Sequence, residues 1–525
     1  MIFDLEKATA PDASAPYDVC IVGAGAAGIS LAIELRSRGQ SVLLLEGGGL
    51  NFEGRSQAVY NGETEGLPFK GLTEARFRAL GGTTTQWGGQ ILEIDNHVFE
   101  ERPGVPGCAW PFSKSELERY YPRAIELEGL TGSLTDADAV WQALGLSKID
   151  FGDALISGFS QWCPNPDFSK LHGKTLRGDE DLAVYLHANV TEIMFANDSR
   201  TASHVACRTL RGKKSSFSAK SFVLCMGGIE VSRFLLQPPT QTHPAYWYGN
   251  KFIGKSFQDH ISAFVATITE CTLDPPDKYF DFQSVSGHRY HPKIKLKPEI
   301  QAKLSVLDIC GTVASTTNGR DDLAVAFETY RLIRTRRYGQ LGPRRLAHFA
   351  VNLPKLLWHK IPFARSVIGA GSHKRILRLC VHVEQSPFSE SHIGLSNSRD
   401  ELGLLRARLA WRASDLELHT IRTFVDLAQQ AFTKNNLGNV VPDPGVMRDD
   451  LVLQAAYRES SHHMGGTRMA ESVDQGVVDP NLKLFGADNV YVCSSSVFPS
   501  AGFANPTHTI IALAVRLAEH LSLGR

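Results

Sequence analysis

An apolar run, a glycine-rich turn and a stretch of helical apolar spacing follow one another near the start of the chain. The run is "YDVCIV" from Tyr17, the turn is "GAGAAG", and the helical stretch leads into a second apolar run that ends at Glu46. Short runs of β-branched residues are typical of buried strands, whereas apolar residues that recur at helical spacing indicate a helix. The pattern therefore predicts a βαβ unit.

Later segments predict further strands. "ANVTEIMF" from Ala188 predicts a strand, and "KSFVLCMGGIEVSRFLL" from Lys220 predicts a buried strand, a turn at Gly227-Gly228 and a helix. We expect these elements to rejoin the sheet of the βαβ unit. "ISAFVATITE" and "HIGLSNS" predict strands of a second sheet, with an alternation too weak to place them further.

The first turn carries the pattern of a dinucleotide-binding site. Gly23 permits the tight turn, Gly25 lets the backbone approach a pyrophosphate at the helix N-terminus, and Gly28 lets helix and strand pack closely. An acid at the end of the second strand, here Glu46, can accept hydrogen bonds from a ribose, and a solvated strand end is its other interpretation. Because strand, helix, second strand and acid occur in the expected order, we predict dinucleotide binding.

The chain does not continue as repeated βα units but reaches the loop "RALGGTTTQWGGQ". Two glycine pairs enclose hydroxyl groups and a tryptophan in this loop: Gly81, Gly82, Thr83, Trp87, Gly88 and Gly89. The backbone of such a loop can lie against a flat or anionic group. An ordinary glycine-rich turn is the alternative on this stretch alone.

Composition and charge exclude several classes of function. A chain of 525 residues suits two or more domains, and its 55 basic and 55 acidic residues give no net charge that would attract nucleic acid. The N-terminus has no basic start followed by an apolar stretch, and no segment offers the ~20 apolar residues that span a bilayer, so we expect a cytoplasmic protein. Nine scattered cysteines without a C-x-x-C pair indicate reduced thiols and no metal site.

Five motifs follow one another along the chain: "GAGAAG" with Glu46, "GGTTTQWGG", "GGIEVSRFLL", "GKSFQDHIS" and the C-terminal "NVYVCSSSVFPSAGFANPTHTIIALAVRLAEHL". In this order they resemble the glucose-methanol-choline (GMC) oxidoreductases, flavoproteins that bind FAD and oxidise alcohols. "WPFSKSELERYYPRA" and "EQSPFSESHIGLSNSRDELG" look most like the bacterial sugar-oxidising and pyranose-oxidase-like branch. In pyranose oxidases a histidine that carries a covalent flavin precedes the loop tryptophan, whereas this chain has Gln86 before Trp87. The resemblance therefore implies noncovalent FAD.

The resemblance also implies the cofactor-binding residues. They are Gly23, Gly25, Gly28, Glu46, Gly81, Gly82, Thr83, Trp87, Gly88, Gly89, Val190, Gly227, Ser495, Asn505, Pro506 and Thr507. "QDH" at Gln258, Asp259 and His260 is read as structural framing near the flavin. The implied fold class is α/β, with a Rossmann-like FAD domain assembled from residues 1–100, 180–260 and 452–525. An α+β substrate domain with a central sheet takes residues 101–179 and 261–451.

Two adjacent histidines in "SSHHMGGTRM", residues 460–469, are candidates for the catalytic base. Oxidation by hydride transfer needs a base at the hydroxyl proton, and histidine is neutral and proton-accepting near neutral pH. In an extended segment neighbouring side chains face opposite ways, so His462 and His463 cannot both face one substrate. In the family the base lies three residues before a Gly-Thr dipeptide, here Gly466-Thr467, which implies His463 as the base and His462 as its support.

The second catalytic position of the family falls on Asn505. Asn505 followed by Pro506 before an apolar-periodic run also has the appearance of a helix N-cap with its first-turn proline. Both interpretations are compatible, because an asparagine at the start of that helix can hold the substrate hydroxyl while the helix N-terminus faces the flavin.

The function implied is FAD-dependent oxidation of an alcohol CH-OH, on a sugar or glycoside ring. The alternatives are a non-sugar alcohol such as a polyol, a sterol or a choline-like compound, and a flavin-binding protein without redox turnover. Oxygen, a quinone or a protein can accept the electrons. Motif spacing does not choose among them.

Residues 330–380 form a local anomaly of charge. This stretch has twelve Lys and Arg and no Asp or Glu, interleaved with Leu, Ile, Phe and Trp358. Such a composition suits peripheral contact with the anionic inner face of a membrane. A lid over the substrate site, or pairing with acids elsewhere in the fold, are the alternatives, because prolines and glycines interrupt any single long helix.

Overall fold

The computed structural model describes residues 1–7, 16–196, 200–240, 245–317, 325–326, 329–330, 333, 341–360, 375–387, 390–448 and 456–523. Its strands in chain order are β1 (Ile2–Asp4), β2 (Tyr17–Val22), β3 (Val42–Leu45), β4 (Glu63–Gly66), β5 (Gln90–Ile91), β6 (Leu155–Trp162), β7 (Leu182–Leu186), β8 (Asn189–Phe195), β9 (Ala202–Arg208), β10 (Lys214–Leu224), β11 (Ile261–Thr269), β12 (Gln283–Val285), β13 (His288–Leu296), β14 (Ile309–Thr317), β15 (Arg375–Val383), β16 (His392–Arg399), β17 (Leu405–Trp411), β18 (Asn439–Pro442), β19 (Arg458–Glu459) and β20 (Val490–Val492).

The α-helices are α1 (Ala26–Ser37), α2 (Gly54–Gln57), α3 (Ser115–Glu118), α4 (Tyr121–Leu127), α5 (Ala137–Leu144), α6 (Phe168–Leu171), α7 (Gly173–Gly178), α8 (Gly228–Leu235), α9 (Asp277–Phe280), α10 (Pro298–Leu304), α11 (Pro343–Lys360), α12 (Asp415–Lys434), α13 (Pro444–Arg448) and α14 (Pro506–Leu523). None of the helices in the described ranges is long and apolar enough to cross a membrane.

The first sheet is built on the predicted βαβ unit. Its strand order is β1-β7-β3-β2-β10-β9-β8, and β20 also pairs with β10. The pairs β2–β3, β3–β7, β2–β10 and β10–β20 are parallel, whereas β8, β9 and β10 form an antiparallel extension. Parallel strands are covered on both faces, which explains why β2 and β3 are apolar almost throughout. Helices α1 and α14 pack against each other beside this sheet.

The second sheet supplies the other wall of the molecule. Its order is β18-β11-β15-β14-β13-β6-β5, with β12 beside β13 and β19 beside β11. The long helix α12 packs against it through the apolar side chains Leu418, Ile421, Phe424 and Val425. A capping box fixes the start of α12, because Ser414 and Glu417 each bond the backbone of the other. The segment "ISAFVATITE" forms β11 as predicted, but "HIGLSNS" forms β16 in a separate sheet of order β16-β17-β4.

The packing differs from the predicted division into domains at two places. Residues 110–127 were assigned to the substrate domain, yet Trp110, Tyr121 and Leu127 belong to the core of the first sheet, and α4 packs against α14. Conversely, β5 lies within the first hundred residues but pairs with β6 in the second sheet. The chain thus passes between the two sheets more often than the predicted domain boundaries imply.

Most of the basic segment 330–380 lies outside the described residues. Within the described part, α11 carries Arg344 and Arg345 near its start, and Leu346, Val351 and Leu353 are exposed along it. Strand β15 closes the segment and lies inside the second sheet between β11 and β14.

Candidate active site

A cavity of about 680 Å³ lies between the two sheets. One end is lined by the turn after β2, the loop at residues 82–88, the turn before α8 and the start of α14. The other end is lined by polar side chains of β11, β13, β15 and the His462 segment. Crevices outside the carboxyl ends of parallel strands are where α/β sheets bind ligands, and the first end of this cavity has that position.

The first turn has the geometry that its glycines predict. Gly23 has a φ of 106°, and a Cβ there would lie 2.6 Å from the carbonyl oxygen of Cys225. A Cβ at Gly28 would overlap the carbonyl oxygen of Gly23, so this glycine lets α1 approach β2. Gly25 differs, because its Cβ would meet no atom within 4 Å and would project into the cavity. The glycine therefore leaves room for a ligand.

Glu46 holds the shape of this turn. Its carboxylate accepts hydrogen bonds from the backbone N–H groups of Ala24 (3.0 Å) and Gly48 (2.8 Å) while it lines the cavity. Burial raises the pKa of Glu46 above its ordinary value, although Arg78 and the two amides act in the opposite direction. The ribose contact predicted for Glu46 stays a prediction.

The sequence-predicted residues divide into those that line the cavity and those that do not. The first group is Gly23, Gly25, Glu46, Gly82, Thr83, Trp87, Gly88, Gly227, His463, Ser495, Asn505, Pro506 and Thr507. The second group is Gly28, Gly81, Gly89 and Val190. Gly81 and Gly89 have φ values of 94° and 84° and shape the loop that carries Thr83 and Trp87. Val190 was expected at the cofactor, but it is buried in β8 opposite Cys207 and does not line the cavity.

The glycine-lined end fits an extended dinucleotide. The N-terminus of α1 has no acidic residue in its first turn and no capping side chain, so its backbone N–H groups are available to a phosphate. At Gly227, as at Gly25, a Cβ would meet no atom within 4 Å. Trp87 is fixed beside this end by a hydrogen bond from its indole N–H to the carbonyl oxygen of Pro166 (2.7 Å). A bound FAD would supply the acceptor for a hydride.

The His462 side chain lies at the centre of a hydrogen-bonded chain. Its Nε2 is 2.9 Å from Asn505 Nδ2, and its Nδ1 is 2.8 Å from His260 Nδ1. The Asp259 carboxylate fixes the backbone there, because it accepts from the N–H groups of His260 (2.7 Å), Ser461 (3.1 Å) and His462 (2.9 Å). Burial raises the pKa of Asp259 to about 7, although these hydrogen bonds lower it. These contacts give Asp259 a framing role in the backbone around His462.

The His463 side chain has a different environment. Its ring lies 5.6 Å from that of Phe69, and its Nε2 is buried without a hydrogen-bond partner among the described residues. The ring packs over Gly71, where a Cβ would lie 2.7 Å from Nε2. Its carbonyl oxygen accepts a hydrogen bond from Ser495 Oγ (2.6 Å). The structure thus brings Asn505 to His462, whereas the sequence had paired Asn505 with His463.

Both imidazoles are held neutral. Burial lowers the pKa of His462 well below its ordinary value, and the charges of His260 and Lys293 act in the same direction. Burial likewise lowers the pKa of His463, with smaller contributions from Arg76 and His462. A neutral imidazole can accept a proton, so neither ring is excluded as a base on charge.

Sequence reasoning missed several polar residues of the second end. Ser262, Lys293, Cys310 and His382 line the cavity there, and Ser262 Oγ is 2.8 Å from His382 Nδ1. They come from three neighbouring strands and from the start of β11. A signal existed in "HRYHPKIKL", where Lys293 stands among buried apolar positions of β13, but nothing in the sequence says which strands lie beside it.

Comparisons with known proteins show which families and relatives the chain is similar to. Residues 387–514 match the family model described as GMC oxidoreductase, and residues 18–244 match the model described as FAD dependent oxidoreductase. The chain is 22% identical to 2-methyl-1,2-propanediol dehydrogenase of Mycolicibacterium austroafricanum over 96% of this chain and 95% of that protein. It is 32% identical to C-glycoside 3-oxidase of Microbacterium trichothecenolyticum over 26% of this chain and 24% of that one.

The fold is also that of a solved flavoprotein. A variant of formate oxidase from Aspergillus oryzae superposes with a TM-score of 0.57 at 16% sequence identity, covering 98% of this chain and 99% of that one. This similarity confirms the predicted class of a Rossmann-like FAD domain with a substrate domain. Residues 18–244 thus carry an FAD-dependent oxidoreductase domain and residues 387–514 a GMC oxidoreductase C-terminal domain, and the chain is an oxidoreductase.

Proposed function

We propose that this chain oxidises a CH-OH group of a sugar or glycoside to a carbonyl, with His462 as the base that takes the hydroxyl proton. FAD-dependent oxidation of an alcohol is the activity of the family, and the finer assignment of substrate and base is our proposal. The observation that carries it is the 2.9 Å contact of His462 Nε2 with Asn505 Nδ2 inside the cavity.

The hydrogen bonds around His462 support a role for each atom in this proposal. The amide of Asn505 donates at Nδ2, so Nε2 of His462 is the acceptor and carries the lone pair. The ring proton is then on Nδ1, where it can be donated to His260 Nδ1. A substrate hydroxyl between the two side chains would accept from Asn505 and donate to Nε2, replacing one hydrogen bond with two. Its carbon-bound hydrogen would leave as hydride toward the flavin end.

His463 was the base implied by family spacing, and the geometry favours its neighbour instead. The Nε2 of His463 faces Gly71 in an aromatic environment, while Asn505 is already engaged by His462. We propose that His463 fixes the segment, through its carbonyl oxygen on Ser495 Oγ and its ring among Phe69 and Phe257.

The polar end of the cavity supports a substrate with several hydroxyl groups. Ser262, His382 and Ser460 line this end and bond one another, and their remaining hydrogen-bonding capacity suits hydroxyl groups better than a long-chain or sterol alcohol. His260 Nε2 is buried there without a hydrogen-bond partner among the described residues. The names of two relatives state a diol and a C-glycoside as substrates. A sugar or glycoside is consistent both with the polar end of the cavity and with the substrates of these relatives. A non-sugar polyol is the second candidate, on the strength of the diol relative, which matches nearly the whole chain.

Anaerobic reduction of the bound flavin tests the proposal. Holoprotein is mixed with monosaccharides, glycosides, small diols and choline, and the loss of the flavin absorbance is followed. We expect bleaching by sugars or glycosides, and a rate that falls strongly in Asn505→Ala and His462→Ala. A flavin that no alcohol bleaches, in protein with full FAD content, would instead favour a flavin-binding protein without turnover.

A further inference from the structure

A lysine lies buried at the polar end of the cavity, and no described residue places a carboxylate there to balance it. Lys293 of β13 is 5% exposed and lines the cavity. Its hydrogen-bond contact is His291 Nδ1 at 3.5 Å, and within the described ranges no carboxylate forms an ion pair with it. A buried cation without a counter-ion is costly, so such a residue indicates a missing partner.

The next lysine on the same face of β13 is paired with a carboxylate and serves as a comparison. Lys295, two residues on, places its Nζ 2.5 Å from Asp95 Oδ2, and attraction to Asp95 and Asp308 raises its pKa although burial opposes this. For Lys293 burial lowers the pKa, and only the thiols of Cys310 and Cys380 oppose it. Among the residues that the structure describes, the fold therefore provides an internal acid for Lys295 and none for Lys293.

The groups around Lys293 are neutral and cannot serve as that partner. Burial lowers the pKa of His382 to about 3, and the charges of Lys293 and His462 act in the same direction. Burial and Lys293 likewise lower the pKa of His291 to about 2. The carboxylates that line the cavity are engaged elsewhere, Glu46 with two amides of the first turn and Glu459 with the N–H of Lys70 (3.0 Å).

We propose that Lys293 binds an anionic oxygen group of the substrate, a carboxylate or a phosphate ester, so that the alcohol oxidised is an acidic one such as a sugar acid. This inference rests on the proposed function and specifies its substrate. The charge of Lys293 acts on His462, so the anion would be held in the same part of the cavity as the proposed base. An anion also restores the conditions under which the buried amine stays protonated.

Matched substrates and variants test this assignment. Anaerobic flavin reduction is measured with glucuronate, glucose 6-phosphate and glucose, which differ in the group at one carbon. The variants are Lys293→Met, which keeps most of the volume without the charge, and Lys295→Met as the control on the same strand. A charge-assisted hydrogen bond corresponds to about 10- to 100-fold in affinity. We expect wild type to bind one anionic sugar that much more tightly than glucose, and Lys293→Met alone to lose the preference.

A second measurement is independent of turnover. Acetate and inorganic phosphate should raise the melting temperature of wild type and Lys295→Met holoprotein at constant ionic strength, but not that of Lys293→Met. Preference for glucuronate and acetate identifies a carboxylate, and preference for glucose 6-phosphate and phosphate identifies a phosphate ester. Anion binding that depends on Lys293, in protein whose flavin no alcohol bleaches, would keep Lys293 as an anion-binding residue but refute the proposed function, and with it the assignment of the anion to an oxidised substrate. Equal use of glucose and both anionic sugars, with no effect of Lys293→Met, would overturn the inference and leave the function intact.

Discussion

Replacement of each adjacent histidine by alanine separates the two possible bases. His462→Ala removes the acceptor Nε2 that faces Asn505, and loss of a positioned base lowers a rate by roughly 10²- to 10⁴-fold, or about 3–5 kcal/mol of activation free energy. His463→Ala removes a ring whose Nε2 makes no hydrogen bond among the described residues. The cost there is lost packing against Phe69 and Phe257, roughly 2–4 kcal/mol of folding free energy.

The assay is stopped-flow reduction of the flavin under anaerobic conditions, at equal FAD content, with melting temperatures measured in parallel. We expect His462→Ala to be slow in reduction and near wild type in melting temperature, and His463→Ala to show the reverse. Added imidazole should partly restore the rate of His462→Ala. Because burial lowers the pKa of His462, the wild-type rate should stay constant on acidification until well below pH 6.5. Slower reduction in His463→Ala than in His462→Ala would refute the assignment from geometry and restore the one from family spacing.

Three further predictions concern the cofactor and stability. Denaturation in acid should release all of the flavin into the supernatant, because Gln86, which lines the cavity before Trp87, cannot carry a covalent link; colour that stays with the precipitate would contradict this. Gly25→Ala should lower FAD affinity without lowering the melting temperature of the apoprotein, because the new Cβ would meet no protein atom within 4 Å. Gly28→Ala should lower both, because its Cβ would overlap the carbonyl oxygen of Gly23. Burial lowers the pKa of His187, but hydrogen bonds to Asp4 (2.7 Å) and Glu53 (2.9 Å) raise it by more, so the net shift is upward. The stability that these contacts give the folded state is present below about pH 6.5 and is lost as the pH rises through the raised pKa. His187→Gln should therefore make the melting temperature less dependent on pH over that window.

The features that the sequence predicted well depend on local backbone geometry. The strand at Tyr17–Val22, the turn at Gly23, Gly25 and Gly28, and the helix after it follow from spacing within thirty or so residues. The glycines of the loop at residues 81–89 were recognised for the same reason. Their positive φ values and close contacts are requirements that only glycine meets.

The features that it missed depend on which distant strands become neighbours. Alternation along the segment showed that His462 and His463 face opposite ways, but it could not say which face holds Asn505. Val190 lies in a strand as expected, yet it is buried and does not line the cavity. The printed sequence does not distinguish Lys293 from Lys295. Only the packed sheets show that Lys295 has an acid beside it, Asp95, whereas Lys293 has none in the part of the chain that the structure describes.

The first sheet has a consequence for how the chain folds. Strand β10 lies between β2 and β20 in space, while nearly all of the second sheet lies between β10 and β20 along the chain. Pairing of this kind closes very long loops and is slow for that reason. On the ribosome the N-terminal strands must wait, with apolar faces uncovered, until β20 and α14 have left the exit tunnel. The cavity is thus among the last parts of the molecule to form, because α14 lines it. Loss of α14 would leave α1 and α4 without the helix they pack against, and we expect an aggregating chain rather than a slower enzyme.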